Sequence, residues 1–197
     1  ILIVDIQDVG ARYYTFATTL SYIIDVLKDG GPRILVIERP NPAGRLVEGS
    51  ILPESFQSFV GRPGLPHRHG LTIGELARFY RADSGSQVGV EVVYDPAVDY
   101  LTPAPFAVAP SPNMPLTETA LVYSGQCLLE GTNLSEGRGT TRPFELFGAP
   151  YLKELSQAPQ QPGAHLRPLR FMPAFHKWGG EICEGFQIHL TGDEDYH

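Results

Sequence analysis

The 197-residue sequence lacks several features that would assign a class at once. No apolar run approaches the ~20 residues that a helix needs to cross a bilayer, so no membrane span is predicted. No block of lysine or arginine occurs, and the formal net charge is −7. This balance argues against a nucleic-acid partner or an anionic membrane surface. The two cysteines, Cys127 and Cys183, form no C-x-x-C pair, which favours buried free thiols over a disulfide or a metal site.

Several catalytic signatures are also missing. There is no G-x-G-x-x-G after a predicted strand and no G-x-x-x-x-G-K-[ST], so neither a dinucleotide cofactor nor P-loop phosphate chemistry is predicted. G-x-S-x-G and H-E-x-x-H are absent as well, which removes common serine-hydrolase and zinc-protease signals. His67 and His69 stand two residues apart, but no carboxylate or cysteine has a supporting spacing. We therefore predict no metal and no cofactor.

The hydrophobic pattern predicts an α/β fold. Residues 1–6 and 33–38 read as buried strands, and apolar residues at helical spacing between them predict a helix over 14–28. A strand, a helix and a strand within forty residues form a βαβ unit, whose strands are parallel. Thr72 and Glu75 fit a capping box that opens a second helix, running to about Arg81. A third strand is predicted over 88–94.

The character of the chain changes after Pro143. A helix over 117–129 and a glycine-rich loop precede this point. A short helix near Tyr151–Ser156, a Pro/Gln linker and strands at 166–171 and 182–190 follow it. The predicted domains are therefore 1–142 and 143–197.

Polar side chains follow the first two predicted strands. Because ligands bind beyond the carboxyl ends of parallel strands, we expect these side chains to converge. They are Asp5, Gln7, Asp8, Arg12, Glu38, Arg39 and Asn41. The acids and arginines could equally pair with each other and brace the loops.

Two further stretches are candidates. His69 precedes the capped helix, where it either binds a ligand or supports the loop. The segment Glu130–Arg142 is the densest polar stretch, with glycines that permit close approach of the backbone and with Asn, Ser and Thr groups suited to sugar hydroxyls. The alternative is a linking loop whose charges pair internally. Loop carboxylates beside aromatics and amides weakly favour glycoside hydrolysis, which uses paired carboxyl groups.

Several sequence motifs make the prediction of function far more specific. The run Asp5-Ile-Gln-Asp-Val-Gly-Ala-Arg-Tyr-Tyr-Thr15 resembles the hallmark of the NamZ-like exo-β-N-acetylmuramidases, formerly a domain of unknown function. Motifs similar to those of the family then follow in the same order: Arg39–Pro42, Val47–Gly49, Arg68–Ala77, Ser111–Pro115, Cys127–Glu145 and Cys183–His189.

This resemblance implies a fold, an activity and a location. The fold is a Rossmann-like catalytic domain, of which 1–142 is the C-terminal part, followed by the beginning of a smaller α/β auxiliary domain. The activity is release of N-acetylmuramic acid from the non-reducing ends of peptidoglycan fragments, in a secreted, periplasmic or cell-envelope-associated bacterial protein. Family members carry a catalytic glutamate in an upstream Pro-Glu-His-Gly motif that these 197 residues do not contain. We therefore expect a fragment that lacks the N-terminal part.

The resemblance also suggests roles for residues. Glu130 and Glu136, and then Glu48, are the candidates for a second catalytic carboxyl or for substrate clamping. Arg138 or Arg142 is expected to bind the lactyl carboxylate of muramic acid, and Tyr13 or Tyr14 to line the sugar. The side chains expected to bind hydroxyl and acetamido groups are those of Gln7, Asn41, His69, Asn113 and Asn133. The alternatives are a non-catalytic muropeptide-binding protein and a hydrolase of another β-linked amino sugar.

Overall fold

The computed structural model describes residues 1–62, 64–153, 158–192 and 196. The chain forms two compact units, Ile1–Pro110 and Ser111–His197. The predicted boundary near residue 142 lies inside the second unit, because segments on both sides of it pack together. Thr119 Oγ1 donates to Glu145 Oε1 at 2.6 Å, and the rings of Tyr123 and Phe144 meet edge to face at 4.7 Å.

A parallel three-stranded sheet forms the centre of the first unit. Its strands are β1 (Leu2–Val4), β2 (Ile34–Ile37) and β3 (Val90–Val93), in the order β1-β2-β3. Leu2 pairs with Ile34, and Ile34 pairs with Val90, all in parallel register. The predicted βαβ unit is therefore confirmed.

Two helices cover this sheet. Helix α1 spans Thr15–Val26 and α2 spans Ile73–Asp83. The predicted capping box of α2 is present, with Thr72 and Glu75 each accepting a hydrogen bond from the other's backbone N–H. Both helices bury aliphatic side chains against the strands, and these form one core with residues of β1 and β2: Val4, Leu20, Ile24, Ile34, Val36 and Leu76. A short 3-10 helix, Glu54–Phe56, lies in the long loop before α2.

The second unit combines one helix with an antiparallel sheet. Helix α3 spans Thr117–Gln126 and continues into a 3-10 helix, Cys127–Gly131. The strands are β4 (Leu146–Ala149), β5 (Ala164–Phe171) and β6 (Cys183–Leu190), in the order β4-β6-β5. Strand β4 was not predicted, because it is only four residues long and contains a glycine. Residues 154–156 of the predicted short helix lie outside the described part of the chain.

Two glycines face each other between β4 and β6. Gly148 pairs with Gly185, and a Cβ added to Gly148 would lie 2.4 Å from the carbonyl oxygen of Glu184. On its other side, Gly148 exchanges two backbone hydrogen bonds with Ser135, at 2.8 and 3.0 Å. Backbone therefore passes closely on both sides of β4 at this position.

The α/β class predicted from the sequence is confirmed, with a parallel sheet in one unit and a small antiparallel sheet in the other. Within the described ranges, none of the helices has the length and apolar character that crossing a membrane requires.

Candidate functional site

The polar loops beyond β1 and β2 are joined by their own hydrogen bonds. Arg39 donates to Asp5 Oδ1 through Nε at 3.1 Å and Nη2 at 2.5 Å, near the surface. Gln7 Nε2 donates to the carbonyls of Asp8 and Pro40 at 2.8 and 3.2 Å. The predicted convergence of these two loops therefore occurs, and much of their polarity is used to brace them.

Asp8 and His69 form a buried pair. His69 Nδ1 accepts the N–H of Leu71 at 3.1 Å, so the ring proton lies on Nε2 and faces Asp8 Oδ2 at 3.1 Å. Asp8 Oδ2 also accepts the N–H of Gly10 at 2.7 Å. Asp8 Oδ1 is buried and has no hydrogen-bond partner among the residues that the structure describes. Both side chains are almost inaccessible, so in this unit the pair positions the loops.

Arg12 and Asn41 are also buried within the loops. Arg12 Nη1 donates to the carbonyls of Ser50 and Leu65 at 2.7 and 2.8 Å. Asn41 Nδ2 donates to the carbonyl of Leu71 at 3.0 Å. Burial, followed by the neighbouring Arg12 charge, lowers the pKa of His67 below its usual value, which favours the neutral ring. These contacts give Arg12 and Asn41 a structural role in the first unit.

Glu38 connects the end of β2 to the start of α2. Its Oε1 accepts the N–H groups of Arg39 and Gly74, and its Oε2 accepts the hydroxyl of Thr72 at 2.9 Å. A carboxylate at a helix N-terminus is favoured by the free amides and by the helix dipole. Glu38 is therefore committed to α2.

Glu48 lies in the long loop before α2. Its Oε2 accepts Arg68 Nη1 at 2.8 Å, and the two residues also exchange both backbone hydrogen bonds. The structure therefore places Glu48 in a paired, loop-supporting position.

The half-buried rings of Tyr13 and Tyr14 pack within the first unit. Tyr13 contacts His67 and Tyr14 contacts Phe16, both edge to face, with ring centroids 5.9 and 4.9 Å apart.

In the second unit, Glu130 and Arg138 form a forked pair near the surface. Arg138 donates to Glu130 Oε1 through Nε at 2.9 Å and Nη2 at 2.6 Å. The guanidinium also lies 4.8 Å from the ring centroid of Phe144. Both bonds go to Oε1, and within the ranges that the structure describes Oε2 of the 37% exposed Glu130 side chain receives no hydrogen bond.

Glu136 is fully buried among three basic groups. Its carboxylate lies 3.5 Å from Arg138 Nε, 3.2 Å from His176 Nδ1 and 3.2 Å from Lys177 Nζ. None of these contacts has hydrogen-bond alignment, and neither oxygen has an aligned donor in the described part of the chain. The short distances to the charged Arg138 and Lys177 matter more than the angles here, because Coulomb attraction does not depend on alignment.

Arg142 lines a cavity of about 350 Å³ in the same unit. Its Nη1 donates to the buried Glu145 at 3.2 Å, and the cavity is also lined by Glu118, Gln187 and His189 beside apolar residues. This volume is at the small end of the range for ligand pockets, about 300–1,000 Å³.

The two asparagines predicted to bind sugar groups lie elsewhere in the second unit. Asn113 lies in the turn from Ser111 to Met114, and Asn133 accepts hydrogen bonds from Tyr151 and Trp178.

The sequence reasoning missed the loop between β5 and β6. His176 and Lys177 surround Glu136, and Trp178 Nε1 donates to the carbonyl of Asn133 at 2.7 Å. The sequence that could have indicated this loop as a candidate is Phe175-His-Lys-Trp-Gly-Gly180, in which aromatic and basic residues precede two glycines. No three His, Cys, Asp or Glu side chains among the described residues are grouped to hold a metal ion.

Comparison with known proteins gives matches along the whole chain. The family model for the N-terminal part of exo-β-N-acetylmuramidase NamZ matches residues 1–118, and the model for its C-terminal part matches residues 121–197. The chain is 42% identical to peptidoglycan β-N-acetylmuramidase NamZ of Bacillus subtilis strain 168, over all of this chain and 50% of that protein. It therefore spans about half the length of the curated relative it matches.

Two crystal structures of DUF1343 family proteins from Bacteroides fragilis NCTC 9343 are similar to the chain. One superposes with a TM-score of 0.83 at 32% identity, covering 98% of this chain and 54% of that one. The other has a TM-score of 0.84 at 27% identity, covering 100% and 54%.

Proposed function

Because this chain belongs to the NamZ family of exo-β-N-acetylmuramidases, we propose that its protein releases N-acetylmuramic acid from the non-reducing ends of peptidoglycan fragments. The observation that carries this proposal is the match of two family models, one to residues 1–118 and the other to residues 121–197. The 42% identity to the Bacillus subtilis enzyme along the whole chain supports it.

Of the three candidate carboxyl groups, Glu130 is the best suited to contact substrate. Glycosidases of most families use two carboxyl groups and an oxocarbenium-like transition state. Glu136 is fully buried and Glu48 is held by Arg68, whereas Glu130 has an oxygen that Arg138 does not use. We assign Glu130 the role of the second carboxyl, beside the glutamate that the family carries in its Pro-Glu-His-Gly motif.

The assay for this assignment uses the complete protein and a chromogenic β-glycoside of N-acetylmuramic acid. A single acid–base group contributes roughly 10²–10⁴-fold in rate, so Glu130→Gln should lower kcat by about that factor. Glu48→Gln is the matched control and should stay within about threefold of wild type. A Glu130→Gln variant that keeps wild-type kcat would refute the role of Glu130. Binding without turnover by wild type would instead favour a non-catalytic sugar-binding protein.

Arg142 is the better candidate for the lactyl carboxylate that distinguishes muramic acid from glucosamine. Arg138 is committed to Glu130 through two hydrogen bonds, while Arg142 makes one longer contact and lines a cavity. An arginine fork matches the two oxygens of a carboxylate.

The specificity of Arg142 is testable with paired substrates. Loss of a hydrogen bond to a charged group costs about 1.5–3 kcal/mol, so Arg142→Gln should lower kcat/KM for the muramic glycoside about 10- to 100-fold. The glucosamine glycoside, which lacks the carboxylate, should be hydrolysed at an unchanged rate. Arg170→Gln, which removes an exposed arginine paired with Glu184, is the control. Equal losses on both substrates would exclude a carboxylate contact.

A further inference from the structure

Backbone strain is concentrated in the second unit. Within the described ranges, the non-glycine residues with positive φ are Phe144, His176 and Trp178, at 63°, 70° and 60°. Such conformations are uncommon for bulky residues and persist only where the surrounding structure enforces them. Two of the three lie in the loop between β5 and β6. Strain of this kind clusters at ligand sites.

The indole of Trp178 is held in one orientation. Its Nε1 donates to the carbonyl of Asn133 at 2.7 Å, and the hydroxyl of Tyr151 donates to Asn133 Oδ1 at 2.5 Å. The two rings meet edge to face, with centroids 6.0 Å apart. We call Asn133, Tyr151 and Trp178 the aromatic corner. Asn133 and Tyr151 are exposed and Trp178 is half-buried, so two rings with fixed polar ends are partly open to solvent.

The loop that carries Trp178 is attached to the segment that carries Glu130 and Asn133. Lys177 Nζ donates to the carbonyls of Leu129, Glu130 and Leu134 at 2.8–3.1 Å, and Glu136 provides the opposing charge at 3.2 Å. The Lys177 ammonium therefore bonds to the protein itself, and the Glu136 carboxylate balances its charge. This attachment holds the loop that carries Trp178 against the backbone of residues 129–134.

We infer that the aromatic corner is a sugar-binding surface, on which the Trp178 ring packs against the C–H face of an amino-sugar ring of the peptidoglycan fragment. A pyranose has one face of C–H groups and a rim of hydroxyls. A tryptophan with its N–H already bonded offers a large apolar surface to the C–H face of the sugar. The amide N–H groups of Asn133 and the Glu130 oxygen that Arg138 does not use suit the hydroxyl groups of the rim. The inference rests on the proposed function and extends it to residues that carry no assigned role.

The test measures binding to the complete protein by calorimetry. The probe is N-acetylmuramyl-β-1,4-N-acetylglucosamine with sulfur in place of the glycosidic oxygen, so that it is not cleaved. Trp178→Ala should weaken binding at least tenfold, and Trp178→Phe, which keeps a ring, should lose less than Trp178→Ala. Phe56→Ala, which removes an exposed ring of the first unit, should bind as wild type does. A folded Trp178→Ala variant that binds within twofold of wild type would overturn the inference.

A second measurement does not depend on the alanine variant. Trp178 is the single tryptophan of these 197 residues, so 5-fluorotryptophan labelling gives one ¹⁹F resonance from them, assigned in the complete protein by its loss in Trp178→Phe. That resonance should shift on saturation with the thio-disaccharide. Turnover of the muramic glycoside with a resonance that does not shift would overturn this inference alone. Absence of both turnover and binding in wild type would overturn the proposed function and this inference together.

Discussion

Removing the charge of Glu136 is the most informative single perturbation of the second unit. Glu136→Gln keeps the size of the side chain but leaves Arg138 and Lys177 without their shared buried counter-charge. In the wild type these donors face a carboxylate with two oxygens, whereas the glutamine of the variant offers them one carbonyl oxygen. The variant should therefore be less stable.

The magnitude follows from the exposure of the partners. Removing one partner of a fully buried ion pair costs about 3–5 kcal/mol. Here the Arg138, His176 and Lys177 side chains are 25%, 46% and 21% exposed, so water compensates part of the loss. Lys177 also keeps its three backbone carbonyls. We expect Glu136→Gln to lower the free energy of unfolding by about 2–3 kcal/mol.

The assay is urea unfolding of the complete protein, followed by circular dichroism at pH 7. The matched control is Glu184→Gln, the same substitution in the exposed Arg170–Glu184 pair, which should cost less than about 1 kcal/mol. Equal effects of the two substitutions, or a gain in stability from Glu136→Gln, would refute the reasoning. Such a result would mean that desolvation of the Glu136 carboxylate cancels its attraction to Arg138 and Lys177.

Three further outcomes follow from the geometry. Gly74→Ala should lower the free energy of unfolding by about 1–3 kcal/mol, because the added Cβ would lie 2.4 Å from the Glu38 carboxylate that caps α2. Gly125→Ala is the control, since an added Cβ there would meet nothing within 4 Å. Equal effects of the two substitutions in urea unfolding would contradict the packing argument. The hydrogen bond from Arg45 lowers the pKa of Glu75, so its stabilisation is complete above the ordinary carboxyl pKa and is lost as pH falls through the folded value. The difference in stability between wild type and Glu75→Gln should therefore shrink from pH 7 to about pH 3, and a constant difference would exclude the pair. Burial raises the pKa of Cys127 to about 11, so its alkylation, followed by peptide mass spectrometry, should accelerate about tenfold per pH unit from pH 8 to 10; a plateau by pH 9 would contradict this.

The parallel sheet could be predicted because its signals are local. The apolar runs of β1 and β2, the helical spacing between them and the Thr72–Glu75 capping box each depend on neighbouring residues. Parallel pairing then follows from the connection through a helix. The structure confirms each of these elements.

The second unit was harder to predict because its contacts join residues distant in sequence. Glu136 meets His176 and Lys177 about forty residues later, and nothing near position 136 indicates these partners. Strand β4 has four residues, too few for a clear alternating pattern.

The candidate residues also divided in a way that the sequence did not predict. The sequence left two interpretations open for the polar loops that include Asp8, Arg12 and Asn41, ligand contact or bracing of the loops, and the structure shows these three side chains buried and bonded to their own loops. Polar side chains at the end of a strand satisfy both interpretations until burial and partners are known. The substrate roles of the remaining candidates stay predictions.

The glycine pair between β4 and β6 has a consequence for the evolution of this site. Because Gly148 holds Ser135 on one side and faces Gly185 on the other, a methyl group at either glycine would push the strands apart. Ser135 immediately precedes Glu136, so this displacement would be transmitted to the carboxylate beneath Arg138. A side chain at either position should therefore disturb the buried Glu136 carboxylate from a distance, and both natural and laboratory-evolved variants should keep glycine at both positions.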